Sequence, residues 1–223
     1  MVTRTGDGAW GTPSRAFARM GENAMAGPVR GYLKLSAAAE AFSSSFRGKT
    51  VLDIGSSTGG FTEYALNHGA KKVIAVEKGS HQMKAPLRFD PRIDLHEKTD
   101  IFNVSVQNNI AENHKTKVTL SCVPDIIVAD VSFISLTKIL KHVKNHLAGK
   151  HTEFLVMLKP QFEAAPFQLK NGVVKNETIR RTIIKNFEQW LKQNKFLIVK
   201  KHDNELHGKT GNIERFYYLI LAK

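Results

Sequence analysis

The sequence predicts an α/β fold with a mostly parallel, seven-stranded sheet, an antiparallel last strand and helices on both faces. Three observations lead to it. Short apolar runs recur along the chain between helical or loop-like segments, as βα units require. One run, Val51-Leu52-Asp53-Ile54, breaks into Gly55-Ser56-Ser57-Thr58-Gly59-Gly60 and then into an amphipathic stretch carrying Phe61, Tyr64, Ala65 and Leu66. That order reads as strand, tight turn and helix. The last two apolar runs, Phe196–Val199 and Phe216–Leu221, are joined by a loop alone, which makes them antiparallel neighbours.

The bulk composition narrows the classes. A chain of 223 residues, 42% hydrophobic and 24% charged, suits one sizeable globular domain. Its formal net charge of +13 points to a polyanionic partner, nucleic acid before membrane. The single cysteine, Cys122, excludes an internal disulfide and a cysteine-based zinc site, and fits a reducing, cytoplasmic compartment. No metal site is expected. No apolar run approaches the roughly 18 residues of a membrane span. The first 30 residues hold four arginines together with Asp7 and Glu22, a mixture that argues against a transit peptide.

Residues 1–28 are rich in Gly, Ala, Arg and Pro and are expected to form a flexible arm, with one domain over 29–223. Lys34 is expected just ahead of an Ala-rich helix over Ser36–Phe42. The Gly-rich turn follows. Glycine, lacking Cβ, lets backbone approach a ligand, and the next helix points its N–H groups at whatever occupies the turn. The second strand, Lys72–Glu77, ends in a carboxylate, Glu77, 24 residues after Asp53. In Rossmann-like folds an acid in that place accepts hydrogen bonds from a ribose. The pattern G-S-S-T-G-G departs from the dinucleotide fingerprint and favours a different adenosine-bearing ligand.

A short helix and a third strand, Ile93–His96, are expected next, with Asp100 beyond them. Residues 103–123 are polar and read as helix and loop. The fourth strand, Pro124–Asp130, ends in the acid Asp130. The segment Val131–Leu136 follows, then a helix expected to run through Leu147, with Cys122 packed ahead of the strand. The fifth strand, Glu153–Leu158, ends at Lys159-Pro160, and proline stops the strand there. Lys159 therefore stands at the strand edge where such sheets bind ligands. Glu177–Gln193 has helical periodicity, with Ile179, Ile183, Phe187, Trp190 and Leu191 inward and Arg180, Arg181, Lys185 and Lys192 outward. A glycine-containing loop, His207–Asn212, leads to Glu214 and the last strand.

The segments VRGYLKL, LDIGSSTGGFTEYALNHGAKKVIAVEKG, DVSFISL, LKPQFE and GNIE resemble the hemolysin-A-type (TlyA) ribosomal RNA methyltransferases, relatives of the FtsJ-like 2′-O-methyltransferases. The resemblance covers residues 29–221. It implies a methyltransferase fold, S-adenosyl-L-methionine as cofactor and ribosomal RNA or ribosomal subunits as partner. It also implies a Lys-Asp-Lys-Glu tetrad at Lys34, Asp130, Lys159 and Glu214. Cofactor positions fall on Asp53, Gly55, Ser57, Gly59, Phe61, Glu77, Asp100 and Asp130. Family members usually begin with a small RNA-binding domain of the S4 type, which this sequence lacks. Where they carry two glycines before the first tetrad lysine, this chain has Gly31-Tyr32, and Tyr32 is a candidate to narrow the entrance, to stack on a base or simply to pack.

The chemistry of the residues agrees with the resemblance. A ribose hydroxyl is a weak nucleophile, so an aligned base must remove its proton. A lysine does so when neutral, and like charges placed together disfavour the charged form. Lys159 is the expected base or relay, with Lys34, Asp130 and Glu214 positioning it. The expected reaction is ribose 2′-O-methylation of ribosomal RNA, at cytidine by resemblance. The alternative is a non-catalytic module that binds RNA or ribosomes and keeps the fold.

Overall fold

The computed structural model describes residues 30–107, 117–204 and 211–222. The arm expected at 1–28 and residues 205–210 of the loop before Glu214 lie outside them. In chain order the elements are α1 (Arg30–Phe42), β1 (Thr50–Ile54), α2 (Gly60–Asn67), β2 (Lys72–Val76), β3 (Ile93–His96), β4 (Val104–Val106), β5 (Val118–Leu120) and β6 (Ile126–Ala129). They continue with α3 (Leu136–His146), β7 (Glu153–Leu158), α4 (Pro160–Glu163), α5 (Glu177–Gln193), β8 (Phe196–Asp203) and β9 (Arg215–Leu221).

Seven strands form the expected sheet, in the order β3-β2-β1-β6-β7-β9-β8. The five from β3 to β7 run parallel, and β9 is antiparallel to both its neighbours. The order reverses between β1 and β6, which makes the carboxyl ends of those strands the natural ligand crevice. Parallel strands covered on both faces need apolar side chains on both, and β6 and β7 supply them. Ile127, Ala129, Phe154, Val156 and Leu158 join the core beneath α3 and α5. Ile126, Val128, Leu155 and Met157 join the core beneath α1 and α2. Among the described residues no helix is long and apolar enough to cross a membrane.

Several expectations need correction. Of residues 103–123, expected as helix and loop, 108–116 lie outside the described residues, and the described parts pair β4 with β5 in a separate two-stranded parallel sheet. Between β2 and β3 the only helical turn is the 3-10 segment Leu87–Phe89. Cys122, expected to pack, is exposed. Arg180, expected outward on α5, is buried, and its guanidinium pairs with Asp203 at 3.1 Å and Glu177 at 3.4 Å. The helix holding Lys34 starts at Arg30, so this lysine belongs to its second turn instead of preceding it.

That early start is permitted by a close helix–helix contact. A Cβ at Gly60 would come 2.7 Å from Tyr32 N and 2.9 Å from Gly31 Cα, so the first turns of α1 and α2 meet backbone to backbone. The far end of α1 is capped by Lys200 of β8, whose Nζ donates to Phe42 O at 3.0 Å. Tyr32 packs edge-on against Tyr64, centroids 5.2 Å apart, and belongs to the core surroundings rather than to an entrance. Gly60→Ala is expected to lower stability by about 1–3 kcal/mol through overpacking. Thermal or urea unfolding of the variant measures this.

Candidate active site

The carboxyl edge of the parallel strands opens into a cavity of about 1070 Å³. Its wall takes Gly55 and Ser57 from the turn after β1, Phe61 from the start of α2, and Glu77 from the end of β2. Asp100 comes from the end of β3, Asp130 from the end of β6 and Lys159 from the end of β7. Lys34 enters from α1, and Glu214 from the residue before β9. Because β9 is antiparallel, its start lies at the same edge as the ends of the parallel strands, which is how Glu214 reaches the others.

The four residues of the expected tetrad form one continuous chain of ion pairs. Lys34 Nζ donates to Glu214 Oε2 at 2.6 Å and lies 3.8 Å from Asp130 Oδ2. On the other side of Asp130, Oδ1 is 2.6 Å from Lys159 Nζ. Lys159 Nζ also donates to Ser132 Oγ at 2.9 Å and stands 5.8 Å above the Phe162 ring. Lys34 is only 6% exposed and Glu214 4%. A buried cation is tolerated only beside its counter-charge, and alternation of sign along the chain provides one on each side.

The loops that carry Asp130 and Lys159 are tied together by Glu163. Its Oε2 accepts from Ser135 Oγ at 2.6 Å and its Oε1 from Leu136 N at 2.7 Å, so it caps the start of α3 from α4. Burial raises the Glu163 carboxyl, partly offset by these bonds. The GNIE segment is tied in similarly. Asn212 Oδ1 accepts from Val174 N at 3.1 Å and Asn212 Nδ2 donates to Gly172 O at 3.1 Å.

The expected cofactor positions separate into two groups. Gly55 takes φ +79°, and a Cβ there would approach Asp130 O to 3.1 Å, so a larger residue would crowd the turn against the loop that begins at Asp130. Ser57 N donates to Glu77 Oε2 at 2.9 Å and Ser57 Oγ to Gln82 Oε1 at 3.0 Å, which fixes the turn to the end of β2. Asp100 pairs with Lys78 at 3.0 Å and accepts from Phe102 N at 3.2 Å. Its burial alone would raise the carboxyl, yet those partners hold it below the ordinary value. Asp53 and Gly59 do not line the cavity. Gly59 precedes α2 and packs on Met83 and Leu87. Asp53 lies under α2, where Oδ2 accepts from Thr62 Oγ1 at 2.7 Å and Oδ1 is buried without a hydrogen bond.

Other lining residues escaped the sequence reading, among them Arg30, Gln82, Phe102, Ser132 and Phe133. Ser132 and Phe133 sit in the DVSF segment beside Asp130, and adjacency was their available signal. Phe133 is 92% exposed, has φ +63° and stands 5.2 Å from the Phe162 ring. A bulky residue with positive φ on a cavity rim marks a constrained loop.

Comparison with known proteins agrees with this geometry. The profile of the FtsJ-like methyltransferase family matches residues 28–221. Hemolysin A of Brachyspira hyodysenteriae is 36% identical over 190 residues, covering 84% of this chain and 74% of that protein. The 23S rRNA (cytidine-2′-O)-methyltransferase TlyA of Campylobacter jejuni is 34% identical over 193 residues, covering 86% and 70%. A solved structure of a hemolysin-named protein from Lactococcus lactis superposes with TM-score 0.76 at 33% identity, covering 86% of this chain and 87% of that one. The fibrillarin pre-rRNA processing protein of Methanococcus jannaschii shares the fold alone, with TM-score 0.56 at 18% identity, covering 81% and 70%.

Asp53 gives a test of the buried turn. Burial pushes its carboxyl up to about 7, against the lowering by Thr62. A carboxyl raised by folding contributes stability that is complete below its unfolded pKa and is lost as pH rises through the folded value. Asp53→Asn removes that loss. The unfolding free energy of the variant relative to wild type is therefore expected to climb between pH 4 and pH 8, measured by urea titration across that range.

Proposed function

The chain belongs to the FtsJ-like methyltransferase family, and from that premise we propose that it methylates ribose 2′-hydroxyls of ribosomal RNA, at cytidine, using S-adenosyl-L-methionine. The observation that carries the reading is the unbroken Glu214–Lys34–Asp130–Lys159 chain at one end of the cavity. A module that only bound RNA would have no use for two lysines and two carboxylates linked in one chain, with Lys34 and Glu214 buried.

The cavity suits the cofactor. Glu77 stands at the end of the second strand, where an acid accepts from ribose hydroxyls. Gly55 and Ser57 bring backbone to the cavity, and Asp100 with Phe102 closes the side beyond Glu77. Asp53 and Gly59 support the turn from below. The cofactor supplies a methyl group already activated on a sulfonium.

The protein's own residues have to bring the hydroxyl into line and accept its proton. Lys159 is the acceptor. Ser132 and Asp130 hold Nζ from two sides, so the amine has a fixed direction. With Lys159 neutral, Lys34, Asp130 and Glu214 carry one net negative charge between them, which attracts the hydroxyl proton toward Nζ. Lys34 stays between its two carboxylates and keeps Asp130 from turning away. At the rim, Phe133 offers an exposed aromatic face on which an unstacked base can rest. The net charge of +13 supplies contacts to phosphates, which position RNA without reading its sequence.

Lys159→Ala is expected to lower methyl transfer by roughly 10²–10⁴-fold, the range of a lost general base, while cofactor affinity by calorimetry stays near wild type. Mass-spectrometric mapping of ribosomal RNA treated with wild-type protein is expected to show new 2′-O-methyl groups. Transfer at the wild-type rate by Lys159→Ala, or methyl groups found on bases alone, overturns the reading. Phe133→Ala is expected to raise KM for ribosomal RNA without changing cofactor affinity.

A further inference from the structure

We propose that Asn204, which does not line the cavity, is a positioning residue for this reaction, acting on Lys34 through Glu214. The proposal rests on the function given above. Asn204 directly follows β8 and is 2% exposed. Its Nδ2 donates to Glu214 Oε2 at 3.3 Å, the same oxygen that accepts Lys34 Nζ at 2.6 Å. Its backbone N donates to Glu214 O at 2.8 Å, so Asn204 holds Glu214 by main chain and side chain together.

The setting makes this contact stiff. Asp203 and Arg215 are paired in register across β8 and β9, immediately before Asn204 and immediately after Glu214. Arg215 Nε donates to Asp203 Oδ1 at 2.6 Å and Arg215 Nη2 to Oδ2 at 2.7 Å, a two-point contact that fixes both angle and distance. Arg180 Nη2 donates to the same Asp203 at 3.1 Å from α5. The Arg215 hydrogen bond and charge hold the Asp203 carboxyl below its ordinary value. The backbone at Asn204 and Glu214 is therefore set by a clamp one residue away, and the amide is aimed by it.

The chemistry of the amide matters. A neutral donor satisfies Oε2 without cancelling the charge that Lys34 needs. A cation there would compete with Lys34, and a carboxylate would repel Glu214. Hydrogen bonds to charged groups in low dielectric are stronger than neutral ones, so one donor is enough to select a single Glu214 rotamer. Freed from it, Glu214 has more than one way to meet Lys34, and the far end of the ion-pair chain loses its fixed point.

Three variants test the proposal, with wild type as reference for methyl transfer. Asn204→Ala is expected to lower kcat about tenfold, about 1.4 kcal/mol in transition-state terms, with cofactor affinity and KM for ribosomal RNA unchanged. Asn204→Ser is smaller yet keeps a donor, and is expected to recover most of that loss. Asn204→Asp puts a like charge beside Glu214, which retains a proton to higher pH, so the acid limb of the kcat–pH profile is expected to move upward. A wild-type kcat in Asn204→Ala, a serine variant as slow as alanine, or an unmoved profile in Asn204→Asp overturns the proposal. Spectra of 15N-lysine-labelled protein read Lys34 Nζ without any turnover. Its signal is expected to shift or broaden in Asn204→Ala and to return in Asn204→Ser, and an unchanged signal overturns the proposal. Wild-type protein that transfers no methyl group overturns the functional reading instead, and leaves the Lys34 spectra to decide on Asn204.

Discussion

Lys34 carries a charge into a buried place, 2.6 Å from Glu214 Oε2 and 3.8 Å from Asp130 Oδ2. Removing an ion from water costs several kcal/mol even after the protein relaxes, so this lysine ties distant parts of the chain together. Glu214 is 180 residues away in sequence. To meet it, α1 must dock at Gly60, β9 must insert beside β7, and the loop after β6 must turn inward. Each of those placements has its own visible support. Glycine allows the docking, paired main-chain hydrogen bonds place the strand, and Glu163 holds the loop against its neighbour. The site is thus rigid for a reason independent of its chemistry: relaxing any one support leaves a buried charge without a partner.

How far the sequence revealed this follows from the length of each signal. Most of the seven strands were legible because they hold a run of apolar residues long enough to stand out, and the ends of those runs named Glu77, Asp130 and Lys159 directly. The pair β4 and β5 was not legible. Strands of three residues have no period to read. Arg180 was misplaced because helical periodicity sorts residues by hydropathy, and its burial depends on Asp203, which no local pattern connects to it. The start of α1 was misjudged because Gly31 looks like a helix breaker until Gly60 is found against it. Tyr32 and Cys122 had no pattern of their own, and neighbours decided both.

The candidate site divides along the same line. Residues at strand ends were legible, since topology carries such ends to one edge. Asn204, Ser132 and Gln82 act by touching other side chains, and contact across elements leaves no trace in spacing. Asp53 shows the opposite case. The family resemblance implies a cofactor position there, and the side chain lies beneath α2 and bonds Thr62. Alternation along a strand sends successive side chains to opposite faces, and only the fold tells which face is the floor of the crevice and which is the core under α2.

The order of the last strands has a consequence for biosynthesis. β9 is made after β8 yet lies inside it, between β7 and β8. While the ribosome is still producing residues 215–221, the sheet has a vacant lane and β8 has no hydrogen-bonding neighbour to settle against. Glu214 arrives only with that final strand. A chain that has not yet extended to β9 therefore holds the glycine-rich turn, Asp130 and Lys159, but leaves Lys34 without its closest counter-charge. Emergence of β9 is in this sense a built-in checkpoint: the polypeptide acquires its ion-pair chain only once the strand that lies inside β8 has joined the sheet.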